Sequence, residues 1–557
     1  MKLAKKICAL VTLIAMILSM SIMFTGCGKE DVVEVDKKKT QIYVYSYNGG
    51  VGNDWLDETI KAFEAKYADT SFEEGKMGVQ VIPDKQKATA LSQVDSFPNS
   101  TYDVIFNEAL RYNEWAAKGN LLDITDLVNE TGDDGKTIVS KLSEDKVTAL
   151  TARDGKYYAL PHYEAFRGVV YDVDLFEEYN LYFAADRTYS DFVLAAGEAR
   201  SAGPDGAIGT TDDGLPATYE EFFKLCDHMV ELGITPFIWS GAQSAYSEFL
   251  LYALSDTMAG PEGAKLNYNF GVGAKDNTTN IVTGFSGNKP VVESVAITEE
   301  NGYLLRQSEA KYRALEFLFT MFNKSEYYYK DSMGTLTMSN IETQQTYVFS
   351  KLENEPIAMM IEGTFWEKEA ADSIEMSISA YGAAARDRNF GWMPLPGVYS
   401  GTVDAKNGTK QVLNDYLNAY CGINAKSSGA NLEVAKLFVK FCYSDEGLNI
   451  FTKSTGMLRG VNYELTEDTL ANLSGFYKNL IELRNESHVI TPMSESVLFI
   501  NNEHALTFHE NYWNSEDYIY PVAAFRGGMK SAQKYFEGMK MEQDEWQTLY
   551  GRFIGQN

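Results

Sequence analysis

Residues 40–107 set the strongest constraint on the fold. The run TQIYVYSYNGG (40–50) is rich in β-branched and aromatic residues and ends on a glycine pair. DWLDETIKAFEAKY (54–67) follows, with Trp55, Ile60 and Phe63 at helical spacing. VQVIPD (79–84) reads as a second strand, QKATALSQVDSF (86–97) as a helix and YDVIFN (102–107) as a third strand. Strands that alternate with helices predict an α/β domain whose parallel-rich sheet is covered on both faces. Ligands of such sheets bind beyond the carboxyl ends of the strands. That rule puts Tyr47, Asn48, Gly49, Gly50, Asn107 and Glu108 on one rim.

The same alternation continues. GKYYALPHYEAFRGVVYDVDLFEE (155–178) is an extended stretch leading into an apolar strand that ends at Tyr171. ATYEEFFKLCDHMVELG (217–233) is an amphipathic helix, and ITPFIWSG (234–241) is a buried strand. NAYCGINAKSSGANLEVAKLFVKFCYSDEGLNIF (418–451) reads as strand, polar loop, helix and a second short helix. At 557 residues the chain exceeds what one core can serve, so two or more domains are expected. In AMMIEGTFWEKEA (358–370) a strand stops at Gly363 and Trp366 stands before a charged, helix-forming segment. A tryptophan there either anchors a core or offers its flat face to a ligand, and the residues alone leave both open.

Charge and cysteine usage exclude several classes. With 78 acidic against 49 basic residues the net charge is −29, a field that repels nucleic acid, so no nucleic-acid partner is expected. The N-terminus opens with basic MKLAKK, continues through the apolar run ICALVTLIAMILSMSIM and closes with FTGCGKED. FTGC resembles the lipobox of bacterial lipoproteins. It implies a signal peptide over 1–26, removal of that peptide, and lipidation of Cys27, with 27–39 as a flexible tether to the outer face of the membrane. Cys226, Cys421 and Cys442 remain; an odd number without ligand spacing argues against a disulfide framework. Five histidines and no HExxH motif argue against a zinc enzyme.

Taken in order, the lipobox, IYVYSYNGG, FEAKY, YDVIFNEALRYNEWAAKGNLLDIT (102–125), YYALPHYEAFRGVVYDVDLF, AMMIEGTFW, GWMPLPG (391–397) and GINAKSSGANLEVAKLFVKFCYSDEG (422–447) resemble the extracellular solute-binding proteins. That family includes the maltose-binding receptors of bacterial ABC importers. The resemblance covers most of 40–470. It implies a two-lobed α/β clamp of periplasmic-binding-protein type II with a ligand cleft between the lobes. The first lobe would comprise 40–165 and 411–470. The second would comprise 166–410, with an acidic insertion at 200–216, and 471–557, which ends in C-terminal helices. It further implies a monomeric receptor that performs no chemistry, hands a carbohydrate to a membrane permease and needs no cofactor.

The resemblance also nominates residues. Gly363, Phe365 and Trp366 resemble a Gly-Pro-Trp signature whose tryptophan stacks on a sugar ring, although Thr364 replaces the proline. FNEALR (106–111) resembles a hydroxyl-recognising loop, of which Arg111 is kept while Asn107 and Leu110 depart; Asn107 and Glu108 remain candidates beside Asn48. In PHYEAFRG (161–168), Glu164 resembles a ligand-contacting glutamate, flanked by His162, Tyr163 and Arg167. Trp239, Gln243 and Tyr246 lie on the corresponding rim of the second lobe, and Trp513 in HENYWNSEDY either extends the platform or packs C-terminal helices. In RSAGPDGAIGTTDDGLPATYEEF (200–222), Asp205, Asp212 and Asp213 form either a structural calcium site or an acidic turn before a helix that Thr218 and Glu221 cap as a box. Two alternatives of function stay open. One is a glycoside hydrolase using a pair drawn from Glu108, Glu164 and Glu362; the other is a peptide or polyamine receptor of the same architecture, with a cleft dominated by anionic or backbone-binding groups.

Overall fold

The computed structural model describes residues 34–86, 97–108, 112–152, 154–269, 276–334, 338–397, 408–415, 417, 419–491, 508–509 and 519–555. The chain begins with β1 (Thr40–Tyr47), β2 (Val79–Gln86), β3 (Val104–Glu108) and β4 (Ala159–Pro161). It continues with β5 (Arg167–Asp172), β6 (Thr235–Ile238), the hairpin β7 (Thr278–Ser286) and β8 (Lys289–Ala296), then β9 (Ile357–Gly363) and β10 (Phe390–Trp392). Short β11 (Val412–Asn414) precedes β12 (Ala419–Ile423), and β13 (His488–Ile490) pairs with β11.

Two sheets define two lobes. The first runs in the order β2-β1-β3-β12-β4 and the second β10-β5-β9-β6. Both are mixed rather than parallel-rich. β1 pairs in parallel with β2 and β3, as strand–helix–strand units must, and β6 with β9. β12, which re-enters the first lobe late in the chain, lies antiparallel to β3 and β4, and β5 lies antiparallel to β9 and β10. The expectation of a parallel-rich sheet followed from the local alternation, and the antiparallel strands enter where the chain changes lobe, which local periodicity does not record.

Packing follows from the alternation of side chains along each strand. On the second sheet Val169, Tyr171, Met359 and Ile361 face one core, whereas Val170 and Met360 face the other, and β9 is buried along its whole length. The helix Asp54–Lys66 covers the first sheet with Trp55, Leu56, Thr59 and Phe63. The helix Tyr219–Glu231 begins at Thr218, whose hydroxyl accepts from Glu221 N at 3.2 Å. Only half of the expected capping box forms, because the Glu221 carboxylate accepts from Ala217 N, one residue earlier than the cap. Cys226, Cys421 and Cys442 are buried and unpaired. Among the described residues no helix is long and apolar enough to cross a membrane. The helix expected at 86–97 falls almost wholly on residues outside the described set, as do Cys27 and the expected signal peptide before it.

Candidate functional site

The carboxyl end of β1 leads into the turn Asn48–Gly49–Gly50, where both glycines have positive φ (53° and 84°). Asn48 ties this turn down by accepting from Gly52 N at 2.8 Å. A side chain on Gly49 would overlap the Glu108 carboxylate and lie 3.3 Å from the Tyr163 hydroxyl. Glycine is therefore what lets the ends of β1 and β3 and the segment after β4 converge. A methyl group on Gly50 would meet the ring of Phe365, which belongs to the second lobe, at 3.3 Å. The lobes thus touch at this turn and enclose a cleft of about 780 Å³ beside it. That volume lies within the range of small-molecule sites, which form where domains meet.

One wall carries Tyr47, Asn48, Asp54, Lys85, Glu108 and Tyr163; the other carries Tyr246, Phe365, Lys368, Glu369 and Asp372. The Tyr163 hydroxyl donates to Glu108. Burial raises the Glu108 carboxyl, the Tyr163 hydrogen bond opposes the rise, and the charge of Glu369 adds to it, leaving it at about 7. Glu369 accepts from the amides of Asn340 (3.0 Å) and Gln344 (2.5 Å). Tyr246 stacks on Phe249 with ring centroids 4.8 Å apart, which fixes the face it turns to the cleft.

Several expected residues do not reach this cleft. Trp366 is fully buried, edge-on to Tyr347, Phe390 and Phe476. Helical phase explains the difference. Trp366, Ala370, Ser373 and Ser377 form the buried stripe, whereas Phe365, Lys368, Glu369 and Asp372 recur on the opposite side and line the cleft. The sequence carried this signal, one residue away from the tryptophan that drew notice. Trp239 is likewise buried, packed on Phe322 and Tyr328. Asn107 is buried within β3 opposite Tyr420, pointing away from the rim that its neighbour Glu108 reaches, because successive residues of a strand alternate faces. Gln243 is a buttress rather than a cleft residue: it accepts from Asn340 N at 2.9 Å, and Asn340 in turn holds Glu369.

The PHYEAFRG segment supplies one cleft residue, Tyr163. His162 is sealed among Trp55, Phe106 and Phe451, and burial together with the nearby Arg459 holds its imidazole well below the ordinary range. Arg167 lies over the rings of Phe249 (5.0 Å) and Tyr252 (5.4 Å), behind the cleft. Glu164 is buried between lobes. It accepts from Lys146 at 2.8 Å and from Arg484, and Lys146 pairs with Asp415 at 2.9 Å. Burial alone would raise the Glu164 carboxyl, but Lys146 and Arg484 outweigh it and hold it down at about 2. Glu164 and Asp415 follow β4 and β11 respectively, so this charge cluster ties together the chain just beyond those two strands. Glu362 is fully buried as well, leaving Glu108 as the one member of the hydrolase trio that faces the cleft. Arg111 and Trp513 lie outside the described residues.

The family model for bacterial extracellular solute-binding proteins matches residues 50–448. The chain belongs to this family. Solved structures agree in fold. A chitin oligosaccharide binding protein is 14% identical with a TM-score of 0.53, and maltose-bound T. maritima MalE3 is 15% identical with a TM-score of 0.53. The cyclic alpha-maltosyl-1,6-maltose binding protein of Arthrobacter globiformis is 13% identical with a TM-score of 0.51. Each alignment covers 92% of this chain and 100% of the other. No curated protein sequence matches at a significant level.

The acidic loop lies apart from the cleft. Asp212 accepts from Asp205 N at 2.8 Å and from the Thr210 hydroxyl at 2.9 Å, and Asp213 accepts from Gly209 N at 2.8 Å. Burial and the nearby Asp205 raise the Asp212 carboxyl to about 7. Among the described residues no three acidic, histidine or cysteine side chains gather as a metal site. Asp205 and Asp212 share the Thr210 hydroxyl, and Asp213 Oδ1 is buried with no hydrogen-bond partner.

Proposed function

We propose that this solute-binding protein is the carbohydrate receptor of an ABC importer, tethered by lipid on Cys27 to the outer face of the membrane and working as a monomer with the permease as its partner. One observation carries the reading. Aromatic rings and polar groups from both lobes, Tyr47 and Tyr163 on one side and Tyr246 and Phe365 on the other, converge on a single cleft. Flat rings complement the C–H faces of pyranoses, and the polar side chains between them suit hydroxyl groups. The ligands named for two relatives of the same fold, a chitin oligosaccharide and maltose, support the same class.

The cleft binds without chemistry. Glu164 and Glu362 are sealed away, so the trio considered for hydrolysis contributes one carboxyl to it. Calorimetry against mono- and oligosaccharides, peptides and polyamines tests the reading. Heat with a saccharide and no new reducing ends after long incubation are expected; no heat with any saccharide overturns it. The calcium ion belongs to the same proposal, held by Asp205 and Asp212 with Asp213 beside them. A calcium-dependent rise in Tm that Asp212→Asn removes is the expected result.

A further inference from the structure

The charge lining the cleft is lopsided. Glu108 and Glu369 stand on opposite walls, with Asp54 and Asp372 further along the same lining. Of the two lysines, Lys85 is paired with Asp57 at 2.5 Å and Lys368 is exposed to solvent. Neutral groups hold the two glutamates: a tyrosine hydroxyl donates to Glu108 and two side-chain amides donate to Glu369. Such donors fix a carboxylate's direction without cancelling its charge. Tyr47, Glu108 and Glu369 line the same cleft, and the charge of Glu369 reaches Glu108.

Sugar hydroxyls can donate to both glutamates, but they leave two negative charges in the cleft uncancelled. An ammonium group adds what a hydroxyl lacks, because it donates up to three hydrogen bonds and carries a charge complementary to the two glutamates that line the cleft. The surrounding rings of Tyr47, Tyr163 and Phe365 favour the same guest, since aromatic faces attract cations.

We propose that the ligand carries a protonated amine that seats between Glu108 and Glu369, which makes the cargo an amine-bearing saccharide. This rests on the carbohydrate reading above and narrows it. Three oligosaccharides of equal length and linkage, differing only in an amine, an acetamide or a hydroxyl at one ring carbon, separate the two claims by calorimetry. The amine form is expected to bind roughly tenfold or more tightly than either neutral form, with the margin shrinking as salt is added. Glu369→Gln is expected to erase that margin, with circular dichroism checking its fold; the wild-type comparison stands without it. Equal or better binding by the neutral forms would overturn the amine and leave the carbohydrate receptor intact. No binding by any of the three would overturn the carbohydrate reading itself. Spermidine binding more tightly than all three would overturn the saccharide as cargo.

Discussion

Phe365 and Trp366 are adjacent in sequence and opposite in role. The ring of Phe365 faces the cleft, so Phe365→Ala is expected to weaken ligand binding by about 1 kcal/mol or more while leaving Tm nearly unchanged. Trp366→Ala removes a fully buried indole from an aromatic cluster and is expected to cost about 3–5 kcal/mol in urea unfolding. An outcome in which Trp366→Ala folds normally but loses affinity would reverse the assignment. Gly49→Ala would drive a methyl group into the Glu108 carboxylate and strain a positive φ, so binding should fall even where folding survives. Glu108 also leaves a signature in pH. Its carboxyl ordinarily titrates near 4.5 and in the folded protein near 7, so between those values the native state holds a proton that the unfolded chain has released. Stability therefore falls as pH rises through that window. Glu108→Gln removes the penalty, and its Tm is expected to exceed that of the natural protein above pH 7 and to converge with it near pH 4.5. The Asn48–Gly50 turn and Glu108 were legible from the ends of strands. Phe365 and Glu369 required the phase of a helix that an eye-catching tryptophan obscured.

At the scale of elements, strands and helices of the first hundred residues stood out because their periodicities differ, and β1, β3 and the helix Asp54–Lys66 fall where the pattern puts them. Antiparallel insertion of β12 was hidden, since its partners β3 and β4 lie more than 250 residues upstream. The crossing segment 162–166 shows the same limit from the other side. Its polar residues looked like ligand contacts, yet Glu164 is locked to Lys146 and Arg484 by partners remote in sequence. Glu164→Gln leaves two buried cations short of one carboxylate and is expected to destabilise by about 3–5 kcal/mol. A ligand contact would instead lose affinity with stability unchanged. Because this carboxyl is held at about 2 against an ordinary 4.5, its contribution is present above pH 4.5 and is lost as pH falls towards 2.

At the scale of the whole molecule, the two lobes meet where Phe365 approaches Gly50, and both residues line the cleft. This contact is expected to act as a gate, with admission of a guest waiting on the phenyl ring to lift from the glycine turn. Capture then runs as a gated event, with a rate that climbs with ligand concentration and levels off at the frequency of that lifting. Stopped-flow fluorescence should record the plateau, and enlarging the gap by Phe365→Ala should raise it, so the residue that grips the cargo also times its admission.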